Sequence, residues 1–278
     1  MKRADPTLDK LLLCAVEAST NAGNHALRNS SRRKEATAYF SHDVKLLLDQ
    51  ECQARAEKTI KSFFPDHFIL GEETANDRKL TPGLNDYEWI IDPIDGTVNF
   101  THGLPAWCCS IAVRRGSEVL AGVVYAPEMK ELYTATAETQ SVMNGKKISV
   151  SETKGLKKSL IMTGLDKNFD ESMPPLEIFK TISLNVRKAR VYGSAAWDLC
   201  AVARGISDGY FETGIYIWDI AAAGLIVKQA GGKTEIIQDF GGHRMSFLAT
   251  NGHIHRNLKK TLMGVIRKSP TQIKFLVR

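Results

Sequence analysis

Twelve residues, Trp89-Ile-Ile-Asp-Pro-Ile-Asp-Gly-Thr-Val-Asn-Phe100, constrain this chain more than any others. Trp and Ile favour a buried strand, so the apolar run predicts one that ends at Asp92, with Pro93 stopping the ladder. A second carboxylate, Asp95, follows three residues later. An ionised carboxylate among apolar neighbours costs about several kcal/mol unless a positive charge meets it. No Lys, Arg or His lies between Trp89 and Thr101, so that charge has to come from elsewhere, and a metal ion is the simplest source. The alternative is that Asp92-Pro93 and Asp95-Gly96 are ordinary turn formers.

The same design recurs twice. Phe68-Ile-Leu-Gly-Glu-Glu-Thr74 is an apolar run that ends in Glu72 and Glu73. Tyr210-Phe-Glu-Thr-Gly-Ile-Tyr-Ile-Trp-Asp219 ends in Asp219, which precedes a helix expected over 220–230 and stopped by Gly231-Gly232. Taken alone, Asp219 reads as an N-cap and Glu72-Glu73 as a solvated strand end. Three apolar runs that each deliver carboxylates point instead to one cluster of hard oxygen ligands, suited to magnesium, calcium or manganese.

The motif Asp92-Pro-Ile-Asp-Gly-Thr97, preceded by Gly71-Glu-Glu73 and followed by Trp218-Asp219 before an Ala/Gly-rich helix, resembles the inositol monophosphatase family. This family lies within the lithium-sensitive, magnesium-dependent phosphatase superfamily, and the likeness runs from roughly Leu8 to Leu262. It implies an α/β fold, the layered αβαβα sandwich of the inositol monophosphatase and fructose-1,6-bisphosphatase type. Residues 1–278 then form a single phosphatase domain, with a metal and phosphate half over 1–153 and a substrate-recognition half over 154–278. The implied activity is hydrolysis of a phosphate monoester, inositol monophosphate foremost, with two or three Mg2+ per subunit. Fructose-1,6-bisphosphate, histidinol phosphate and 3′-phosphonucleotides are the alternative substrates.

Residue by residue, the resemblance puts one metal on Glu72, Asp92 and the Ile94 carbonyl, and a second on Asp92, Asp95 and Asp219. A weaker third shares Glu72 through water. It assigns phosphate to the amides of Gly96 and Thr97, and water activation to Thr97 with Asp49, supported by Glu73. Gly193, Ser194, Ala195 and Glu212 match the family's contacts to the hydroxyls of the substrate. The chain departs from the family pattern at Asp43-Val-Lys-Leu-Leu-Leu-Asp49, where Leu46 stands in place of a threonine. The bland reading of Asp49 is a polar position on an amphipathic helix.

An apolar content of 43% over 278 residues is ample for a core. No apolar stretch is long enough to span a bilayer, nothing resembles a signal peptide, and five cysteines without CxxC spacing suit a reducing, cytoplasmic setting. The last 28 residues hold seven Lys or Arg and no acid, which leaves 30 bases against 31 acids in the remainder. Such a tail is a solvated end or an arm for nucleic acid, so an RNA or transcription-complex partner is the rival of another class. A homodimer is implied by the resemblance alone. Periodicity predicts helices from Asp5-Pro6 to Leu27, over 43–63 and near 174–185, 195–204, 220–230 and 254–263, with a polar loop over 30–41. Strands are expected at 107–115, 118–126, 131–136, 159–164, 187–193, 209–212 and 246–250, with a hairpin at Asn144-Gly145. The polar stretch Lys154–Lys158 divides the two halves.

Overall fold

In the computed structural model, which describes residues 6–39, 44–77, 82–165 and 174–266, apolar periodicity decides most elements. Helix α1 (Leu8–Arg28) buries Leu11, Cys14, Ala15, Ala18, Ala22 and Ala26 along one face, and the Thr7 hydroxyl caps it by accepting from the Lys10 amide at 3.3 Å. The segment expected as a polar loop contains a strand, β1 (Ala36–Tyr39). It pairs antiparallel with β2 (Val44–Leu46) before α2 (Leu47–Phe63) begins. The second helix therefore starts later than its hydrophobic spacing suggests. Leu46 is extended, with φ −107° and ψ 154°, and Val44 and Leu46 suit the strand as well as the helix.

Seven strands build the first sheet: β3 (Phe68–Gly71), β4 (Tyr87–Asp95), then, after the short helix α3 (Thr97–His102), β5 (Cys108–Arg115), β6 (Glu118–Ala126), β7 (Glu131–Thr136), β8 (Val142–Met143) and β9 (Lys146–Lys147). They lie side by side in chain order, and only the β3–β4 pair is parallel. The expected hairpin sits between β8 and β9, where Asn144 and Gly145 take φ of 49° and 77°. Strand β4 runs through Pro93 rather than stopping before it. The ladder to β5 slips between Asp92 and Asp95, so the proline falls in an irregularity where no amide donor is needed.

The second sheet follows with β10 (Leu160–Thr163), helix α4 (Pro174–Asn185), β11 (Lys188–Arg190), helix α5 (Ala195–Ala203), β12 (Gly209–Tyr216), helix α6 (Ile217–Gln229), β13 (Lys233–Gly241), β14 (Arg244–Thr250) and helix α7 (His255–Ile266). Its strand order is β11-β10-β12-β14-β13. Strand β13 covers a stretch, Asp239 included, for which the sequence pattern predicts no element.

Three apolar clusters stack these parts into five layers. Helices α1 and α2 close one face of the first sheet through Leu11, Ile60, Trp89 and Ile111. Between the sheets, α5 and α6 pack Leu199, Ala222 and Ile226 against Ile90, Ala112 and Val124 on one side and Ala249 on the other. Helices α4 and α7 cover the far face of the second sheet through Ile178, Ile182, Leu258 and Leu262. This α/β/α/β/α order is the expected layered sandwich. The basic residues 267–278 lie outside the described residues.

Candidate metal and substrate site

Strand β4 delivers Asp92 and Asp95 to the seam between the first sheet and the middle helical layer, and α6 delivers Asp219. One carboxylate oxygen from each of these three lies within 4.8 Å of the others. Helix α6 begins at Ile217, earlier than expected, so Asp219 is inside the first turn rather than an N-cap. From there its Oδ2 accepts the Tyr216 amide at 2.8 Å. Asp92 is 1% exposed, and its Oδ1 accepts the Ile94 amide at 3.1 Å. Burial pushes the Asp92 carboxyl well above the usual carboxylate range; the charges of Glu72, Asp95 and Asp219 and a hydrogen bond with Asp219 push the same way. Mutually repelling acids held this close, in a site that raises their proton affinity, form a donor set fitted to a divalent cation.

Asp95 has a second task. Its Oδ2 accepts the Ser194 hydroxyl at 2.7 Å and the Ala196 amide at 2.8 Å, and its Oδ1 accepts the Ala195 amide at 3.2 Å. These donors form the N-terminus of α5, so an acid from the first sheet caps a helix of the middle layer. Burial raises the proton affinity of Asp95, while the Ser194, Ala196, Cys108 and Ala195 hydrogen bonds oppose it. Gly96, between Asp95 and α3, has φ 87°, and a Cβ there would lie 2.9 Å from the Ala106 carbonyl oxygen and 3.0 Å from Ser194 Cβ. Only glycine meets both conditions.

A cavity of about 290 Å³ runs from this cluster into the second half. Its walls include Glu72, Asp92, Ile94, Asp95, Gly96, Thr97 and Asp219 on the acidic side, and Gly193, Ser194, Ala195 and Glu212 on the other. Asp49 and Glu73 do not line it. Asp49 Oδ2 accepts the Leu46 amide at 2.8 Å, a backbone contact that makes no demand on the side chain at 46. Glu73 pairs with Lys45 at 3.3 Å. The Thr97 hydroxyl donates to the Ile94 carbonyl at 2.9 Å. Glu212 accepts the Tyr210 hydroxyl, and its carboxylate occupies the space where Gly164 would carry a side chain, 2.1 Å from an ideal Cβ.

Three supports were not singled out in the sequence. Gln53 on α2 accepts the Glu73 amide at 2.9 Å and donates to Thr74 at 3.0 Å, and Gly71 leaves it room, since a Cβ there would lie 2.3 Å from Gln53 Cδ. Asn99 donates to the Ala106 carbonyl at 2.7 Å and the Tyr192 carbonyl at 2.6 Å, tying α3 to the approach of α5. Asp198, one turn into α5, also lines the cavity. Gln53 and Asp198 fall outside the carboxylate motifs, and Asn99, although inside the first of them, reaches Tyr192 across 93 positions, so spacing gives no sign of their roles.

A five-layered α/β sandwich with an acid-lined cavity at its seam is the frame of a phosphatase family. The profile of the Inositol monophosphatase family matches residues 7–273, and the chain belongs to that family. An inositol monophosphatase of Dictyostelium discoideum is 36% identical over 267 residues, covering 92% of this chain and 96% of that protein. The protein of Pasteurella multocida called Nus factor SuhB is 34% identical over 265 residues, with 94% and 96% covered. Among solved structures, the inositol monophosphatase from Anabaena superposes with a TM-score of 0.79 at 35% identity, over 93% of this chain and 97% of that one.

Proposed function

We propose that this chain is a magnesium-dependent phosphoric monoester hydrolase acting on a phosphorylated polyol, inositol monophosphate foremost. The observation that carries this reading is the triad of buried Asp92 and Asp95 with half-buried Asp219, lining one cavity. Glu72, Asp92 and the Ile94 carbonyl would hold one Mg2+, Asp92, Asp95 and Asp219 a second, and Glu72 would share a third through water. Bound there, the cations would supply charge neutralisation on the phosphoryl oxygens and a more acidic water.

The remaining work belongs to the chain. The first amides of α3, at Gly96 and Thr97, receive phosphate oxygens. The Thr97 hydroxyl, presented beside the acidic cluster, orients the attacking water and passes its proton toward Asp49, with Glu73 steadying the segment through Lys45. Gly193, Ser194, Ala195 and Glu212 meet the hydroxyls of the polyol, for which a carboxylate is a strong acceptor. In this reading the first sheet carries metal and phosphate and residues 154–278 carry recognition. Five free, buried cysteines support a cytoplasmic setting, and among the described residues no helix is long and apolar enough to cross a membrane. A homodimer is proposed from the family resemblance alone; light scattering of the purified protein tests it.

Phosphate release titrated against magnesium, with inositol monophosphate beside fructose 1,6-bisphosphate, histidinol phosphate and a 3′-phosphonucleotide, tests the assignment. Highest kcat/KM on inositol monophosphate is expected. Undiminished turnover after exhaustive chelation sinks the metal reading, and preference for another member of the panel reassigns the substrate.

A second reading has one observation behind it, the relatives called Nus factor SuhB. It assigns this chain a partner in an RNA or transcription complex, reached through the basic C-terminal residues. Salt-dependent RNA binding that disappears on deleting residues 265–278 supports it, and no binding at low salt ends it.

A further inference from the structure

Four of the acids that line the cavity have hydrogen-bond partners within the chain. Asp92 accepts from Ile94, Asp95 from the start of α5, Asp219 from Tyr216 and Glu212 from Tyr210. Asp198 is 2% exposed, yet its Oδ1 is buried without any hydrogen-bond partner. A position in the first turn of α5 makes a negative charge tolerable there, but it does not satisfy that oxygen. Leaving a buried carboxyl oxygen unpaired costs stability, so such a group marks a place where the folded chain is incomplete.

Its surroundings say what completes it. Asp198 lines the cavity together with Glu212 and Gly164, and after burial itself the strongest influences on it are the charges of Asp95 and Glu212. A second anion is therefore excluded as the missing partner. A phosphate group belongs at the opposite demand, beside cations and amides. A neutral group with donor hydrogens fits, and on a phosphorylated polyol that group is a hydroxyl. A carboxyl can accept from or donate to a hydroxyl, so the pairing does not depend on its protonation.

We propose that Asp198 is a specificity-determining residue of this site, hydrogen-bonding a hydroxyl of the polyol that carries the phosphate. The inference rests on the phosphatase reading and deepens it, because it selects for leaving groups rich in hydroxyls. A site built to pair with a hydroxyl discriminates strongly against an analogue that lacks it, whereas ring shape alone discriminates weakly.

The test compares the magnesium-loaded wild type with Asp198→Leu and Asp198→Asn on inositol monophosphate and on cyclohexyl phosphate, which keeps the ring and lacks the hydroxyls. Asp198→Leu should reduce the preference for the inositol ester in kcat/KM by roughly tenfold to a hundredfold, mainly through KM. Asp198→Asn, which keeps a hydrogen-bonding head, should fall between. Turnover of cyclohexyl phosphate should change by less than about twofold, and the thermal midpoint of Asp198→Leu should equal or exceed that of the wild type, since an unpaired oxygen is removed. An unchanged preference, or an equal loss on both esters together with a lowered midpoint, overturns the inference while leaving the phosphatase reading intact. A wild type that hydrolyses neither ester with magnesium overturns both.

Discussion

Asp92→Asn should make the metal-free protein more stable while abolishing its activity. Carboxylate oxygens of Asp92, Asp95 and Asp219 lie within 4.8 Å of one another, and at an effective dielectric constant of about 20 each ionised pair at that distance repels by about 3.5 kcal/mol. A hydrogen bond between Asp92 and Asp219 relieves part of this, which leaves roughly one pair unrelieved. An amide at 92 keeps an oxygen for the Ile94 amide and offers N–H donors to the neighbouring acids without needing a proton. The net gain is about 1–3 kcal/mol, or about 3–10 °C in melting temperature for a chain of this size. Magnesium should reverse the order. At a hundredfold excess over its Kd, it stabilises the wild type by about 2.7 kcal/mol and the variant not at all. Thermal melts at pH 7.5, in chelator and in magnesium, with Asp239→Asn on exposed β13 as control, decide the matter. If Asp92→Asn melts below the wild type in chelator, or still gains from magnesium, the triad is not a cation site.

Thr97→Ala should leave the magnesium-induced rise in melting temperature intact and lower kcat by about two to four orders of magnitude; Asp49→Asn should match it, with the double variant little worse than either. Wild-type kcat in Asp49→Asn, measured by phosphate release, refutes the role of that residue. Gly71→Ala should destabilise by about 1–3 kcal/mol, because its Cβ meets Gln53 at 2.3 Å, and Gln53→Ala should recover part of the loss in urea unfolding. His67 stacks between Phe64 and Tyr87 and accepts the Trp89 indole N–H on Nδ1 at 3.1 Å, and burial, aided by Lys61, lowers its pKa from 6.5 to about 4. Between those values the unfolded chain binds the extra proton, so stability should fall as pH drops from 6.5 toward 4. His67→Phe should flatten the fall over that window relative to the wild type.

Elements whose partners are supplied by their own periodicity were legible in the sequence. Helix α1 is readable from Leu8, Leu12, Ala15 and Ala26-Leu27, although the stripe it buries runs through Leu11, Cys14, Ala15 and Ala18, and β5 to β7 are readable because they are apolar runs bounded by turns. Strand β13 is not readable in this way. It is an edge strand whose Ile236 is exposed, so its pairing with β14 rather than an apolar pattern makes it a strand. The β1–β2 pair escapes for a related reason, since Val44 and Leu46 satisfy helical spacing equally well. The carboxylates of the site stood out because each closes an apolar run. The capping of α5 by Asp95 did not, because Asp95 reaches Ser194 across 99 positions in the chain.

That bridge from Asp95 to α5 has an evolutionary consequence. A residue that serves only turnover can be lost as soon as selection for turnover lapses, and in the proposed reaction Thr97, whose hydroxyl makes one local hydrogen bond, is such a residue. Asp95 holds two distant stretches of polypeptide in register, so its loss loosens the fold whether or not a reaction is under selection. In any descendant that kept the shape for another purpose, decay should therefore erase Thr97 before Asp95, and an acid surviving at 95 would testify to architecture more than to chemistry.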